Sequence, residues 1–207
     1  MAASMHPEPA THTGEAALDR LIEQLAAHAG ALGVKTHRFS MLDEVATLAA
    51  DLATANKSAG EAGRVVIAPG LDTAQSALRE RLLAHGATVG TIDADDAAAS
   101  FAGVTVGVSE AVCGVAETGT LVVADSLTDR LVRMLSPVHI VILAATTVLP
   151  DLDATGALLH DLIGGASGQP ARYITFITGP SRTADIEMSL TVGAHGPAEV
   201  HIAVLGA

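Results

Sequence analysis

The feature that most constrains this chain is its alternation of short apolar runs with longer stretches of helical period. Residues 64–70 read Arg-Val-Val-Ile-Ala-Pro-Gly, and residues 104–108, 120–124, 138–143, 173–177 and 200–205 are further short apolar runs. They lack the strict in/out alternation of a half-solvated strand, so they read as strands covered on both faces, as in a parallel sheet. Residues 34–39 and 88–92 read as further strands. Leu18, Leu21, Ile22, Leu25 and Ala29 recur at i, i+3, i+4, i+7 and i+11, a helix face that Gly30 and Gly33 close. Ser40 with Asp43 three residues later reads as an acidic variant of the capping box. It opens a second stripe through Leu42, Val45, Leu48, Ala49 and Leu52. Asp72 and Gln75 open a third helix with Gly86 at its C-terminal cap. Asp93, Asp95 and Asp96 open an Ala-rich helical stretch, and residues 152–163 form a helix ended by Gly164-Gly165. The pattern predicts an α/β fold of three layers, a largely parallel sheet with helices on both faces. The length of 207 residues suits one domain over 13–207, behind a polar, Pro-containing tail at 1–12.

Composition excludes several functions. Lys and Arg number 11 against 23 Asp and Glu, a formal charge of −12. A phosphate backbone would repel such a chain, so no nucleic-acid partner is expected. Aromatic residues make up 2% of the chain, with no Trp, too few for a base-stacking platform. Cys113 is the single cysteine. Alone it supports neither an internal disulfide nor an iron–sulfur cluster nor a structural zinc site. No cofactor or metal is therefore expected on this chain, and any redox centre would sit on a partner. No charge-free run of about 18 apolar residues points to a membrane span. Residues 1–16 show neither the basic nor the apolar region of a secretory signal, which with one unpaired thiol points to the cytoplasm.

In folds of this kind ligands sit beyond the carboxyl ends of strands. Three loops concentrate glycine, proline, hydroxyls and charge. In the first, Glu117-Thr118-Gly119-Thr120, the turn can aim backbone N–H groups and two hydroxyls at one anion, with Glu117 as a base or ligand-orienting carboxylate. The same residues also suit a tight turn whose threonines cap local backbone. The second, Ser136-Pro137-Val138-His139, puts a lone histidine at the start of an apolar strand, where a hydrogen-bonded structural residue is the commoner outcome. The third, residues 177–187, is the densest. Pro180-Ser181-Arg182-Thr183 sets a guanidinium and two hydroxyls at a strand exit, suited to a bidentate grip on a carboxylate or phosphate. Arg182 equally suits pairing with Asp185 or Glu187 to pin the loop. His195 lies in the Gly- and Pro-containing turn 193–197 and reaches a cleft more readily than a core histidine. Glu117, Asp185 and His195 are thus the candidate catalytic residues. Thr118, Gly119, Thr120, Pro180, Ser181, Arg182 and Thr183 are the candidate substrate-binding residues. Cys113 reads as a small buried thiol, and the chain has no Walker A loop, G-x-S-x-G elbow or H-E-x-x-H pair.

Together, Ala116-Glu117-Thr118-Gly119-Thr120-Leu121, Leu135-Ser136-Pro137-Val138-His139 and the run from Thr175 to Glu187 followed by Gly193-Ala194-His195-Gly196-Pro197 resemble the LUD-domain proteins. Among these they resemble the lactate utilization protein C (LutC/YkgG) family. The resemblance runs from about Leu18 and is strongest from Val104 onward. It implies a NagB/RpiA/CoA-transferase-like α/β fold. It also implies a place in L-lactate oxidation to pyruvate beside partner proteins, one of them bearing iron–sulfur clusters. With one Cys, this chain matches the short, cluster-free member. Two functions follow as expectations. One is a cluster-free subunit of a lactate-utilization system. The other is a stand-alone enzyme acting on a small anionic metabolite, a phosphosugar or CoA-type substrate. In that second case Arg182 and the Thr-Gly-Thr amides would hold the anion, and Glu117, Asp185 or His195 would handle protons.

Overall fold

The computed structural model describes residues 14–57, 63–93, 95–164, 173–184, 190–192 and 196–206. In chain order these form α1 (Glu15–Ala31), β1 (Lys35–Phe39), α2 (Leu42–Ala55), β2 (Arg64–Ile67), α3 (Asp72–Ala84), β3 (Thr88–Gly90), α4 (Ala97–Phe101), β4 (Val104–Glu110), β5 (Cys113–Val115), β6 (Thr120–Asp125), α5 (Leu127–Leu135), β7 (Val138–Ala144), β8 (Val148–Leu149), α6 (Leu152–Gly164), β9 (Tyr173–Ile177), β10 (Arg182–Ala184), β11 (Leu190–Val192) and β12 (Glu199–Leu205). The main sheet has six strands in the order β1-β12-β7-β4-β2-β3, all parallel. A smaller sheet runs β8-β5-β6-β9 and is antiparallel except for the β5–β8 pair. Strands β10 and β11 form an antiparallel pair.

The uninterrupted apolar runs become the central strands because both sheet faces are covered. On one face, Val106, Val108, Ile140, Ile142 and Ala203 pack with Val45, Ala46 and Ala49 of α2 and with Leu78 and Leu82 of α3. On the other, Val141, Leu143, Ile202 and Val204 pack with Ile22, Leu25 and Ala29 of α1 and with Leu121 and Val123 of β6. The outer face of the small sheet, carrying Cys113, Val115 and Val122, is covered by Leu158 and Leu159 of α6. The fold is α/β with a largely parallel sheet and helices on both faces, as the sequence pattern predicts. The small sheet and α6 extend it locally, since an apolar run does not reveal whether its neighbours are parallel.

Helix ends follow local chemistry. At the end of α1, Gly33 lies at φ 87, Val34 N–H donates to the Ala29 carbonyl at 3.1 Å and Gly33 N–H to the Gly30 carbonyl at 3.0 Å. This is a Schellman ending, and a residue with a Cβ would be strained at Gly33. The capping box of α2 is displaced by one residue from its predicted place. Met41 is the N-cap, and the Glu44 carboxylate, not Asp43, accepts from Ser40 N–H at 2.9 Å and Met41 N–H at 3.0 Å. The Ala-rich stretch yields only the short α4, capped by Asp96, which accepts from Ala99 N–H at 3.1 Å.

Residues 127–135, unassigned from the sequence, form α5, and this helix is inverted. It buries Asp129, Val132 and Arg133 while Leu127 (51%), Met134 (42%) and Leu135 (46%) are exposed. The inward charges have partners. The Asp129 carboxylate accepts from Gly70 N–H at 2.8 Å and from Ser126 N–H at 3.1 Å, and Arg133 donates to Thr175 Oγ1 of β9 at 3.2 Å. The helix sits close on β4, where a Cβ on Gly107 would lie 2.3 Å from Ser136 Oγ and 2.9 Å from Val132 Cγ1. Gly107→Ala is therefore expected to lower unfolding stability by about 1–3 kcal/mol, as overpacking does. Urea denaturation checks this, and an unchanged midpoint would contradict the close seat of α5.

Candidate functional site

The Thr118–Thr120 motif is the turn of the β5–β6 hairpin, and it presses on the last turn of α1. Gly119 has φ 67, and a Cβ there would lie 2.4 Å from Ala29 N and 2.7 Å from His28 C. Only glycine satisfies both that conformation and that approach. His28 Nδ1 donates to the Ala116 carbonyl at 2.8 Å. The turn's amides are taken up by backbone: Ala116 N–H donates to Leu149 O (2.8 Å), Glu117 N–H to Pro150 O (3.0 Å) and Gly119 N–H to Val115 O (3.0 Å). Thr118 Oγ1 donates to Thr120 Oγ1 at 2.8 Å, and buried Thr120 Oγ1 bonds Thr178 Oγ1 at 3.1 Å. The exposed Glu117 carboxylate accepts from Leu152 N–H at 3.4 Å, placing its charge at the N-terminus of α6, where a helix dipole favours it.

The segment after β9 reaches the same end of α1. Thr178 joins the hydroxyl chain, and a Cβ on Gly179 would touch Leu32 Cβ at 3.5 Å. Arg182 is exposed and donates through a guanidinium N–H to the Leu32 carbonyl at 2.5 Å. That carbonyl is the one at the C-cap, where a cation is favoured by the helix dipole. Half-buried Ser181 donates its backbone N–H to Pro197 O at 2.9 Å, and Pro180 beside it is half-buried. Thr183 is placed by its backbone in β10, opposite Thr191. Asp185 and His195 lie outside the described residues. The structure thus brings Thr118, Gly119, Thr120, Thr178 and Arg182 together on one helix end. Glu117 lies a residue away from that junction and is turned toward α6.

The titratable groups in the strands are structural in their bonding. His139 is buried and its Nε2 pairs with Ser109 Oγ at 2.8 Å. Burial first, and then the Arg133 charge, push its pKa down to about 3, so it is neutral at ordinary pH. Burial holds the Cys113 thiol up at about 12, leaving no thiolate for nucleophilic work. One network is not apparent from the sequence. Glu199 pairs with Lys35 and accepts from His201 Nε2 at 3.0 Å, while His201 Nδ1 lies 2.9 Å from His37 Nε2. With the carboxylate accepting, neutral His201 must accept at Nδ1, and His37 Nε2–H donates. Its only sequence signal is the spacing of Lys35 and His37, and of Glu199 and His201, at i and i+2 on strands, which puts each pair on one face. Among the described residues, no group of three His, Cys, Asp or Glu side chains is placed to hold a metal ion, and no helix is long and apolar enough to cross a membrane.

The LUD domain family matches residues 22–205 of the chain. Lactate utilization protein C 1 of Bacillus mycoides (strain KBAB4) is 41% identical over 83 residues, 40% of this chain and 35% of that protein. Lactate utilization protein C of Geobacillus sp. (strain WCH70) is 40% identical over 93 residues, 44% of this chain and 38% of that protein. The alignments therefore span well under half the length of these curated relatives. Among solved structures, the crystal structure of a DUF162 family protein from Deinococcus radiodurans aligns with a TM-score of 0.62 at 15% identity, covering 91% of this chain and 98% of that chain. That likeness is one of fold.

The buried histidine makes stability depend on pH. Its folded pKa near 3 is below the ordinary 6.5, so as pH falls under 6.5 the unfolded chain takes up a proton that the folded chain refuses. Stability is full above 6.5 and declines down to about pH 3; His37 and His201, also lowered, act in the same direction. Between pH 7 and pH 5 the chain should lose about 2 kcal/mol more than His139→Gln does. Parallel urea titrations of the two proteins at both pH values check it, and equal slopes would show His139 to be readily protonated.

Proposed function

The chain belongs to the LUD-domain family, and from that footing we propose that it is a cluster-free, partner-dependent component of a lactate-utilization system. Its relatives named lactate utilization protein C support the choice of system. The observation that carries the subunit reading is the inverted α5. Leu127, Leu131, Met134 and Leu135 recur at i, i+4, i+7 and i+8, one apolar stripe, and three of the four are exposed to at least two-fifths of their surface. We read this stripe as the face that meets a partner. The rim carries Arg130, whose guanidinium lies 5.1 Å above the Tyr173 ring. The partner surface that fits is an apolar helix with a flanking carboxylate for Arg130. With one buried thiol in this chain, the iron–sulfur clusters of lactate oxidation are assigned to that partner, and both proteins to the cytoplasm.

The test uses the full chain with the lactate-utilization proteins of its own source. Leaving the chain out is expected to lower lactate-dependent electron transfer. Replacing Met134 and Leu135 together by Asp is expected to weaken association at least about tenfold while the circular dichroism spectrum and melting temperature stay near those of the parent. Undiminished transfer without the chain, or undiminished association of the double variant, would refute the proposal.

A further inference from the structure

The described residues also line an open cavity of about 300 Å3 to which none of the three sequence motifs contributes. Its walls are Ile67 and Pro69 from the end of β2, Gly90, Thr91 and Ile92 from the end of β3, and Gln75, Ser76 and Arg79 from α3. That position, beyond the carboxyl ends of adjacent parallel strands, is where open α/β sheets receive ligands. The volume is at the lower end of the roughly 300–1,000 Å3 of small-molecule pockets.

The chemistry of the lining is specific. Among the described residues, none of the eight that line it is acidic, in a chain where carboxylates outnumber cations by 23 to 11. Arg79 faces the space without a carboxylate partner among the described residues. Among the described residues its guanidinium reaches two backbone carbonyls at long range, Val89 O at 3.4 Å and Gly90 O at 3.5 Å. Other guanidinium and ammonium groups are more firmly engaged: Arg81 with Asp43, Lys35 with Glu199, Arg38 with Asp19, Arg182 with Leu32. A half-buried guanidinium with two weak bonds has N–H donors left for an oxyanion. Ser76 and Thr91 supply hydroxyls and Gln75 an amide to the same lining, and Ile67, Pro69 and Ile92 supply its apolar part.

We propose that this cavity is a binding site for a small organic anion. Its carboxylate or phosphate pairs with Arg79, its hydroxyl groups meet Gln75, Ser76 and Thr91, and its carbon skeleton lies on Ile67 and Ile92. The site is independent of the α5 face, so it stands or falls separately from the proposed partner. Titration of the purified chain, followed by calorimetry and by amide NMR shifts, uses two sets of probes. The hydroxycarboxylates L-lactate and 2-hydroxybutyrate form one arm, and ribose 5-phosphate with inorganic phosphate forms the other. The expected result is saturable binding in one arm, in the millimolar range or tighter, with shifts at Gln75, Ser76, Gly90 and Thr91. Affinity should fall at least about tenfold in Arg79→Gln and remain unchanged in Arg81→Gln, one helix position pair away on the surface. Thr91→Phe, which fills the cavity from an exposed loop and leaves Arg79 in place, should abolish binding and keeps the test valid if Arg79→Gln folds poorly. No saturable binding in either arm, or binding that survives both Arg79→Gln and Thr91→Phe, would overturn the assignment.

Discussion

The last turn of α1 is the constraint on which the placement of the small sheet depends. A Schellman ending satisfies the Ala29 and Gly30 carbonyls and leaves the Leu32 carbonyl facing outward, where Arg182 takes it. One turn earlier, His28 holds the Ala116 carbonyl and Ala29 lies against Gly119. A helix end thus grips two segments far apart in the chain, the β5–β6 turn and the residues after β9. The grip depends on the absence of a side chain at Gly119 as much as on any bond.

The rest of the second layer follows from that grip. With the hairpin turn seated on α1, Leu121 and Val123 of β6 complete the core on that face of the main sheet. Strand β9 then pairs with β6 from Leu121↔Ile177 to Asp125↔Tyr173, which sets Thr175 within reach of Arg133. Asp129 is drawn the same way by Gly70 and Ser126. Because both charges must point inward, the leucines and methionine of α5 point outward, and an exposed apolar stripe is left as the remainder of an internal arrangement. Buried charges of this sort must be hydrogen-bonded to be tolerated, and here they tie three elements together.

Most of the main sheet was legible because its strands are buried on both sides, and apolar runs such as 104–108 and 138–143 report that directly. Helix α5 was not legible, since an apolar stripe is normally read as the inward face and here the inward face holds Asp129 and Arg133. The motif loops were recognisable as special, but their bonding was not. The partners of Ala116, Glu117 and Arg182 are backbone groups of Leu149, Pro150 and Leu32, and nothing in local sequence announces a bond to a backbone atom up to 150 positions away. The capping box of α2 moved from Asp43 to Glu44 because the longer side chain reaches back over both Ser40 and Met41. The cavity at Arg79 lay hidden for the same reason as the histidine chain: its walls come from three separate elements, none with a recognisable motif.

That the last turn of α1 joins the two sheets is tested most directly by hydrogen exchange on Gly119→Ala, whose new methyl group must displace Ala29. In this variant exchange is expected to accelerate together in residues 28–34, in β5, β6 and β9 and around Arg182, while β4, β7 and β12 keep their protection. Acceleration confined to residues 116–120, with α1 and β9 unchanged, would contradict it.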